Sequence, residues 1–212
     1  YGLPAMALTD TGGLYGAVPF YRAERVAGIK PIVGTCLDGA VLLARDREGY
    51  AQLCGLVTAY HLDEAFDLIA RLRECGRVFV LAEDAGHIRR LHRNGLEPLV
   101  AMTHHGDAVS RYRATRQYDL ASELGLRCVA VNPVYFLQPQ DYRVHRVLSA
   151  IRHNATVDTL DEGDAADAGH VLGAAAEEGR AGRVSRARVR HGHARARLPD
   201  PAPGTDRRPA DA

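Results

Sequence analysis

Asp10 stands in the run Leu8-Thr9-Asp10-Thr11-Gly12-Gly13, a carboxylate directly ahead of two glycines. If the apolar residues before it form a strand, the carboxylate lies at the carboxyl edge of a sheet, where open α/β folds and barrels place their chemistry. An aspartate there would equally cap the helix that the sequence suggests from Leu14 onward, and both roles can hold together. His104 and His105 follow the run from Pro98 to Met102 and should reach the same edge. Adjacent residues of an extended chain point opposite ways, so at most one of the two faces a pocket. A surface loop histidine is an equal reading of either.

The other candidate donors are scattered. His87 and His92 are five apart on a predicted helix and diverge, unlike the i, i+4 pair that holds zinc in HExxH. His145 and His153 lie among Arg143, Arg146 and Arg152 and read as a solvated basic face, while His191 and His193 fall in an arginine-rich tail. Cys36, Cys54, Cys75 and Cys128 stand singly rather than in CxxC pairs. They are expected to be four buried thiols in a reducing cytoplasm, with neither a zinc ribbon nor a disulfide framework. No Walker A run, GxSxG elbow or strand-linked GxGxxG occurs.

Short apolar runs alternate with amphipathic stretches from Tyr1 to about Leu160, the pattern of βα units and a largely parallel sheet or barrel. Strands are expected at Ala5 to Thr9, Pro31 to Gly34, Ala40 to Ala44, Arg77 to Leu81, Pro98 to Met102 and Arg127 to Val131. Each is too short for a helix, and apolar character on successive residues implies burial of both faces. Leu14, Ala17, Val18, Tyr21 and Arg25 keep helical spacing up to Gly28, and Tyr50, Leu53, Cys54, Val57 and Tyr60 do the same. Further helices are expected at Asp63 to Glu74, Ala85 to Arg93, Ala108 to Leu124 with Gly125 as a left-handed cap, and Gln138 to Arg152 with Pro139 in the first turn.

A length of 212 residues suits one domain, or one domain with an appendage, and is too short for two complete enzymatic domains. The formal charge of +1 gives no whole-chain attraction for nucleic acid or membrane, and no apolar run is long enough to span a bilayer. Lys30 is the only lysine beside many arginines, a bias expected of GC-rich coding that weakens functional readings of arginine content.

The composition changes after Leu160. An acidic, alanine-rich piece from Asp161 to Glu178 gives way to an arginine-rich one from Arg180 to Arg197 and then to a Pro/Ala/Asp tail. Too little apolar surface is available there to offset about 1 to 2 kcal/mol of ordering entropy per residue, so disorder or a frayed helix is expected across 161–212. Arg183, Arg186, Arg188 and Arg190 could serve as a weak arm for nucleic acid. A shifted reading frame would also produce such a composition.

The run Leu8 to Val18, followed by Phe20-Tyr21-Arg22-Ala23 and Ala27-Gly28-Ile29-Lys30-Pro31-Ile32-Val33-Gly34, resembles the PHP domain of bacterial DNA polymerase III alpha subunits and their error-prone relatives. The resemblance continues in family order through Leu42 to Cys54, Thr103-His104-His105-Gly106-Asp107 and Leu124 to Leu137. It covers about residues 1–160 and none of the tail. It implies a distorted (β/α)7 barrel of α/β class, incomplete here, whose strand ends carry histidines and carboxylates binding divalent metals that activate water for phosphoester hydrolysis.

This sequence departs from that pattern. Thr11 replaces the histidine of Asp-His-Gly, Cys36 the glutamate of Gly-x-Glu, and Pro133 and Tyr135 the aspartate and histidine of Asn-Asp-x-His. The paired His-x-His that opens the family is absent; Tyr1 begins just downstream of its place, as in a chain truncated at its N-terminus. Asp10 and His105 remain as metal-ligand candidates, too few for a closed coordination sphere.

The resemblance therefore implies a fragment of a DNA-directed DNA polymerase, itself structural, without catalytic residues or a bound cofactor. Its partners would be the rest of a polymerase or replication accessory proteins in the cytoplasm, with DNA met only weakly through the arginine-rich tail and no membrane. The alternative is a free-standing PHP phosphoesterase in which Asp10, Cys36 and His105 hold zinc or manganese in a reduced site.

Overall fold

The structure, a computed structural model, describes residues 2–160. The expectations for 161–212 lie outside the described residues. Six strands lie in one sheet in sequence order: β1 (Ala5–Thr11), β2 (Lys30–Leu37), β3 (Ala40–Ala44), β4 (Val78–Ala82), β5 (Leu99–Met102) and β6 (Cys128–Ala130). The helices are α1 (Ala17–Val26), α2 (Arg47–Leu62), α3 (Leu68–Leu72), α4 (Ala85–Arg93), α5 (Ala108–Leu124) and α6 (Tyr142–Arg152). The sheet curls into a half-barrel whose edge strands, β1 and β6, each pair on one side only among the described residues.

Four of the six helices begin on an aspartate that accepts a backbone N–H of the first turn: Asp46, Asp67, Asp84 and Asp107. These bonds satisfy N–H groups that a helix start leaves without partners. Gly125 ends α5 with a φ of 67°, the left-handed cap expected from the sequence.

The sheet is more mixed than a parallel reading predicts. β1 runs parallel to β2, and β4, β5 and β6 run parallel to one another, but β2–β3 and β3–β4 are antiparallel. The cause is local. Asp38 and Gly39, with φ of 45° and 78°, form a two-residue connection with both central residues left-handed, the geometry of a tight hairpin. α3 is also shorter than the expected Asp63 to Glu74, because Asp67 caps it and Asp63 accepts the amide of Ala65 within a turn. Pro139 opens a 3-10 turn that precedes α6.

Burial follows the pleat. Leu37, Ala40, Leu42, Val78, Ala82 and Val100 turn to the helix side and pack with Leu53, Leu56, Ile88, Leu91 and Leu120. The opposite face of the sheet is less completely covered, and β1 is only half-buried along much of its length. Both-sided burial therefore fails at β1, which among the described residues is an edge strand without a neighbour on its outer side.

Candidate functional site

The strand pairing decides which side chains can meet. Asp10 is in register with Thr35, and Thr35 with Leu42 and then Val80. That row contains buried members of the helix-side core, so Asp10 turns toward the helices. Thr11, Cys36, Val41 and Leu81 form the adjacent row and project from the other face. Asp10 and Cys36 thus leave the sheet on opposite sides.

Asp10 is engaged where it stands. Its Oδ2 accepts the backbone N–H of Gly16 at 2.8 Å, and its carbonyl accepts the hydroxyl of the fully buried Thr35 at 3.0 Å. Gly16, not Asp10, is the N-cap residue of α1 and has no side chain to cap with. The aspartate accepts the N-cap residue's own amide, so it braces the entry to α1 from β1 rather than capping a first-turn N–H as the sequence suggests.

The four thiols are half-buried rather than buried. Burial pushes the Cys36 thiol up from its ordinary pKa, a hydrogen bond with the Thr9 side chain opposes that shift, and the nearby Asp10 charge adds to it. The net effect favours the protonated thiol, whose proton a metal would have to displace.

The histidine pair lies just past the end of β5. His104 Nδ1 accepts the amide of Gly106 at 3.0 Å, which places the proton of the neutral ring on Nε2. That Nε2 is buried without a partner, so His104 presents a donor where a metal would require a lone pair. The backbone N–H of His105 donates to Ser110 Oγ at 3.1 Å. The strand carrying this pair is four positions from β1 in the sheet, about 19 Å along its surface at roughly 4.8 Å per strand.

One rim histidine escapes the sequence reading. His61, at the C-terminal end of α2, places Nε2 at 2.6 Å from the carbonyl of Gly12 and so donates to it. It holds the glycine loop after β1, with the Tyr60 ring set edge-on 5.2 Å away. Its separation from Gly12 in sequence hides the contact; helical phase relative to Leu53 and Leu56 is the one signal that could have pointed to it.

A cleft of about 680 Å³ opens beside α4 and α5, but its charges oppose one another: Arg89, Arg113 and Arg116 face Glu83, Asp84, Asp119 and Glu123. Arg89 is already paired with Glu123 at 3.3 Å. The lining shows no preference for a phosphate.

Among the described residues, no three His, Cys, Asp or Glu side chains are grouped so as to hold a metal ion. With Asp10 bonded to Gly16, Cys36 on the other face and His105 beyond three intervening strands, the donors present do not fit a multi-ion centre.

The PHP domain family model matches residues 1–124. The error-prone DNA polymerase of Xanthomonas oryzae pv. oryzae (strain PXO99A) is 34% identical over 175 residues, covering 72% of this chain and 16% of that protein. That of Anaeromyxobacter dehalogenans (strain 2CP-1) is 32% identical over 184 residues, covering 74% of this chain and again 16% of the relative. The chain thus spans about a sixth of the length of these relatives. Among solved structures, a protein of Bifidobacterium adolescentis assigned as a metal-dependent phosphoesterase is similar at 12% identity, with a TM-score of 0.42 over 62% of this chain and 77% of that one.

Proposed function

This chain belongs to the PHP domain family, and we propose that it is a structural barrel module of an error-prone DNA polymerase type of polypeptide, without hydrolytic activity of its own. In this reading residues 1–160 are the module and 161–212 an appended tail. Nucleotidyl transfer belongs to carboxylates elsewhere in the larger polypeptide, in the cytoplasm, and the module meets DNA only indirectly or weakly through the tail's arginines. None of the described helices is long and apolar enough to cross a membrane.

The observation that carries the proposal is the use made of Asp10. A ligand carboxylate has to point into a shared pocket, whereas this one faces the helix layer and holds the start of α1. Thr11, in the adjacent row, offers a hydroxyl, a far weaker donor than imidazole. Metal activation of water needs several ligands around an open position, and the donor set does not supply them.

The test is metal analysis of the purified chain together with a generic phosphomonoesterase and phosphodiesterase assay in Mn²⁺. Substoichiometric metal and no turnover above buffer are expected. Stoichiometric metal with turnover that falls on Asp10→Ala or His105→Ala would overturn the proposal in favour of a free-standing phosphoesterase.

A further inference from the structure

Gln117 of α5 is 5% exposed, yet only half of its carboxamide is bonded. Its Nε2 donates to the backbone carbonyl of Glu83 at 3.2 Å, while its Oε1 is buried with no partner among the described residues. Native folds seldom keep a buried amide oxygen unless something supplies the missing donor. Gln117 lines the cleft of about 680 Å³ beside α4 and α5, and that cleft is the open space from which a donor can come.

The charges of this cleft are ordered as well as opposed. Arg113 and Arg116 precede Gln117 on α5, and neither has an ion-pair partner among the described residues. The carboxylate of Glu83, just past the end of β4, is equally unpaired, and Asp119 adds a second free carboxylate beyond Gln117. The remaining charges are already used. Arg89 and Glu123 pair at 3.3 Å, and Asp84 caps α4 through the amide of His87. Two free cations therefore stand on one side of Gln117 and free acceptors on the other. At 1.5 Å per residue, Arg113 and Gln117 are about 6 Å apart along the helix axis.

We propose that this cleft is a binding site for a small zwitterion, whose carboxylate is held by Arg113 and Arg116 and whose ammonium is held by Glu83 and the Oε1 of Gln117. An ammonium carries three donors and no acceptor, which suits a corner made only of oxygens. A guanidinium fork suits a carboxylate at the other end. A polyanion is selected against by Glu83 and Asp119, and a simple cation by the two unpaired arginines that it would leave facing it. Leu120 and Ala85 give the wall apolar ground for a short methylene chain.

The probe is 4-aminobutyrate, whose three methylenes set its two charges a comparable distance apart. It is titrated into the ¹⁵N-labelled full chain at neutral pH while the Gln117 side-chain amide and the α5 backbone amides are followed by NMR. Butylamine and butyrate, each with one charge on the same carbon chain, are the comparison probes. Saturable binding of 4-aminobutyrate is expected, at least tenfold tighter than either, with the Gln117 amide among the shifted resonances. Arg113→Ala with Arg116→Ala should reduce its affinity to that of butylamine, and Glu83→Gln to that of butyrate. Both arginines are exposed and Glu83 is half-buried with its side chain unpaired, so these variants should keep the wild-type circular dichroism spectrum.

No saturation by about 50 mM, a concentration that fills even a millimolar site, would overturn the proposal. Equal affinity for butylamine and 4-aminobutyrate would show a cation site, and equal affinity for butyrate an anion site, with the same consequence. Unchanged binding in the Arg113/Arg116 variant, or shifts that spare Gln117, would place the ligand elsewhere and overturn it as well.

Discussion

The carboxylate of Asp10 and the backbone amide of Gly16, the N-cap residue of α1, are joined at 2.8 Å. Asp10 comes from β1, so the contact ties a sheet edge to the helix that follows it. A group at the carboxyl end of a strand can face the reactive pocket or the surrounding layer, and the pairing register decides between them.

Asp10→Ala leaves the Gly16 N–H without its charged acceptor in a half-buried turn and should lower stability by about 1–2 kcal/mol. Asp10→Asn retains an acceptor and should cost less than half as much. Urea denaturation with an unchanged slope is the measurement. An Asp10→Ala protein of wild-type stability would show that the bond is incidental.

Half-burial and the Asp10 charge hold Cys36 in its thiol form. Iodoacetamide should therefore alkylate Cys36 roughly several-fold more slowly in the folded chain than in the same chain unfolded in urea, a difference followed by peptide mass spectrometry at pH 8. A zinc-ligand thiolate would behave oppositely, reacting quickly in the metal-free chain and becoming protected when Zn²⁺ is added.

Element types were legible in this sequence because the signals are local. The strand Ala40–Ala44 and helices Ala85–Arg93 and Ala108–Leu124 occur as apolar runs and helical spacing predict, and Gly125 closes the last of them. Strand direction was harder to see. The Asp38-Gly39 pair is a strong two-residue hairpin signal, yet the apolar runs beside it also fit βα units. The orientation of Asp10 was out of reach, because the sheet side it faces follows from register with Thr35 and Leu42, residues more than twenty positions away. The exposure of Val144, Val147, Leu148 and Ile151 on α6 was hidden for a related reason: periodicity reveals an apolar face, while only the packing says whether that face looks inward.

Asp107 makes the acid limb of stability specific. Its carboxyl accepts the Ser110 hydroxyl at 2.6 Å and the Ser110 amide at 2.8 Å, and these two bonds hold its pKa at about 2, below the ordinary 3.8. A depressed carboxyl contributes stability that is fully present above its unfolded value and is lost as pH falls through its folded value. The Asp107 contribution should therefore disappear between about pH 4 and about pH 2. Ser110→Ala should move the carboxyl resonance of Asp107 back toward 3.8 in an NMR titration, and Asp107→Asn should flatten the stability profile across that interval. An unchanged titration in Ser110→Ala would mean that the hydroxyl bond does not set the shift.

Two glycines of α2 separate helix propensity from packing. Replacing glycine by alanine within a helix gains up to about 1 kcal/mol when the site is open. Gly55 is such a site, with nothing within 4 Å of an added Cβ, and Gly55→Ala should stabilise the chain by about 0.5–1 kcal/mol. At Gly49 the added methyl would collide with the carbonyl oxygen of Arg77, the residue that leads into β4 and whose oxygen also accepts the amide of Arg45 at 3.1 Å. Backbone cannot move aside as a flexible side chain can, so the overpacking penalty outweighs the propensity gain. Gly49→Ala should destabilise by about 2–3 kcal/mol. Opposite shifts of the two urea midpoints are expected, and stabilisation by both substitutions would place β4 farther from α2 than the present fold has it.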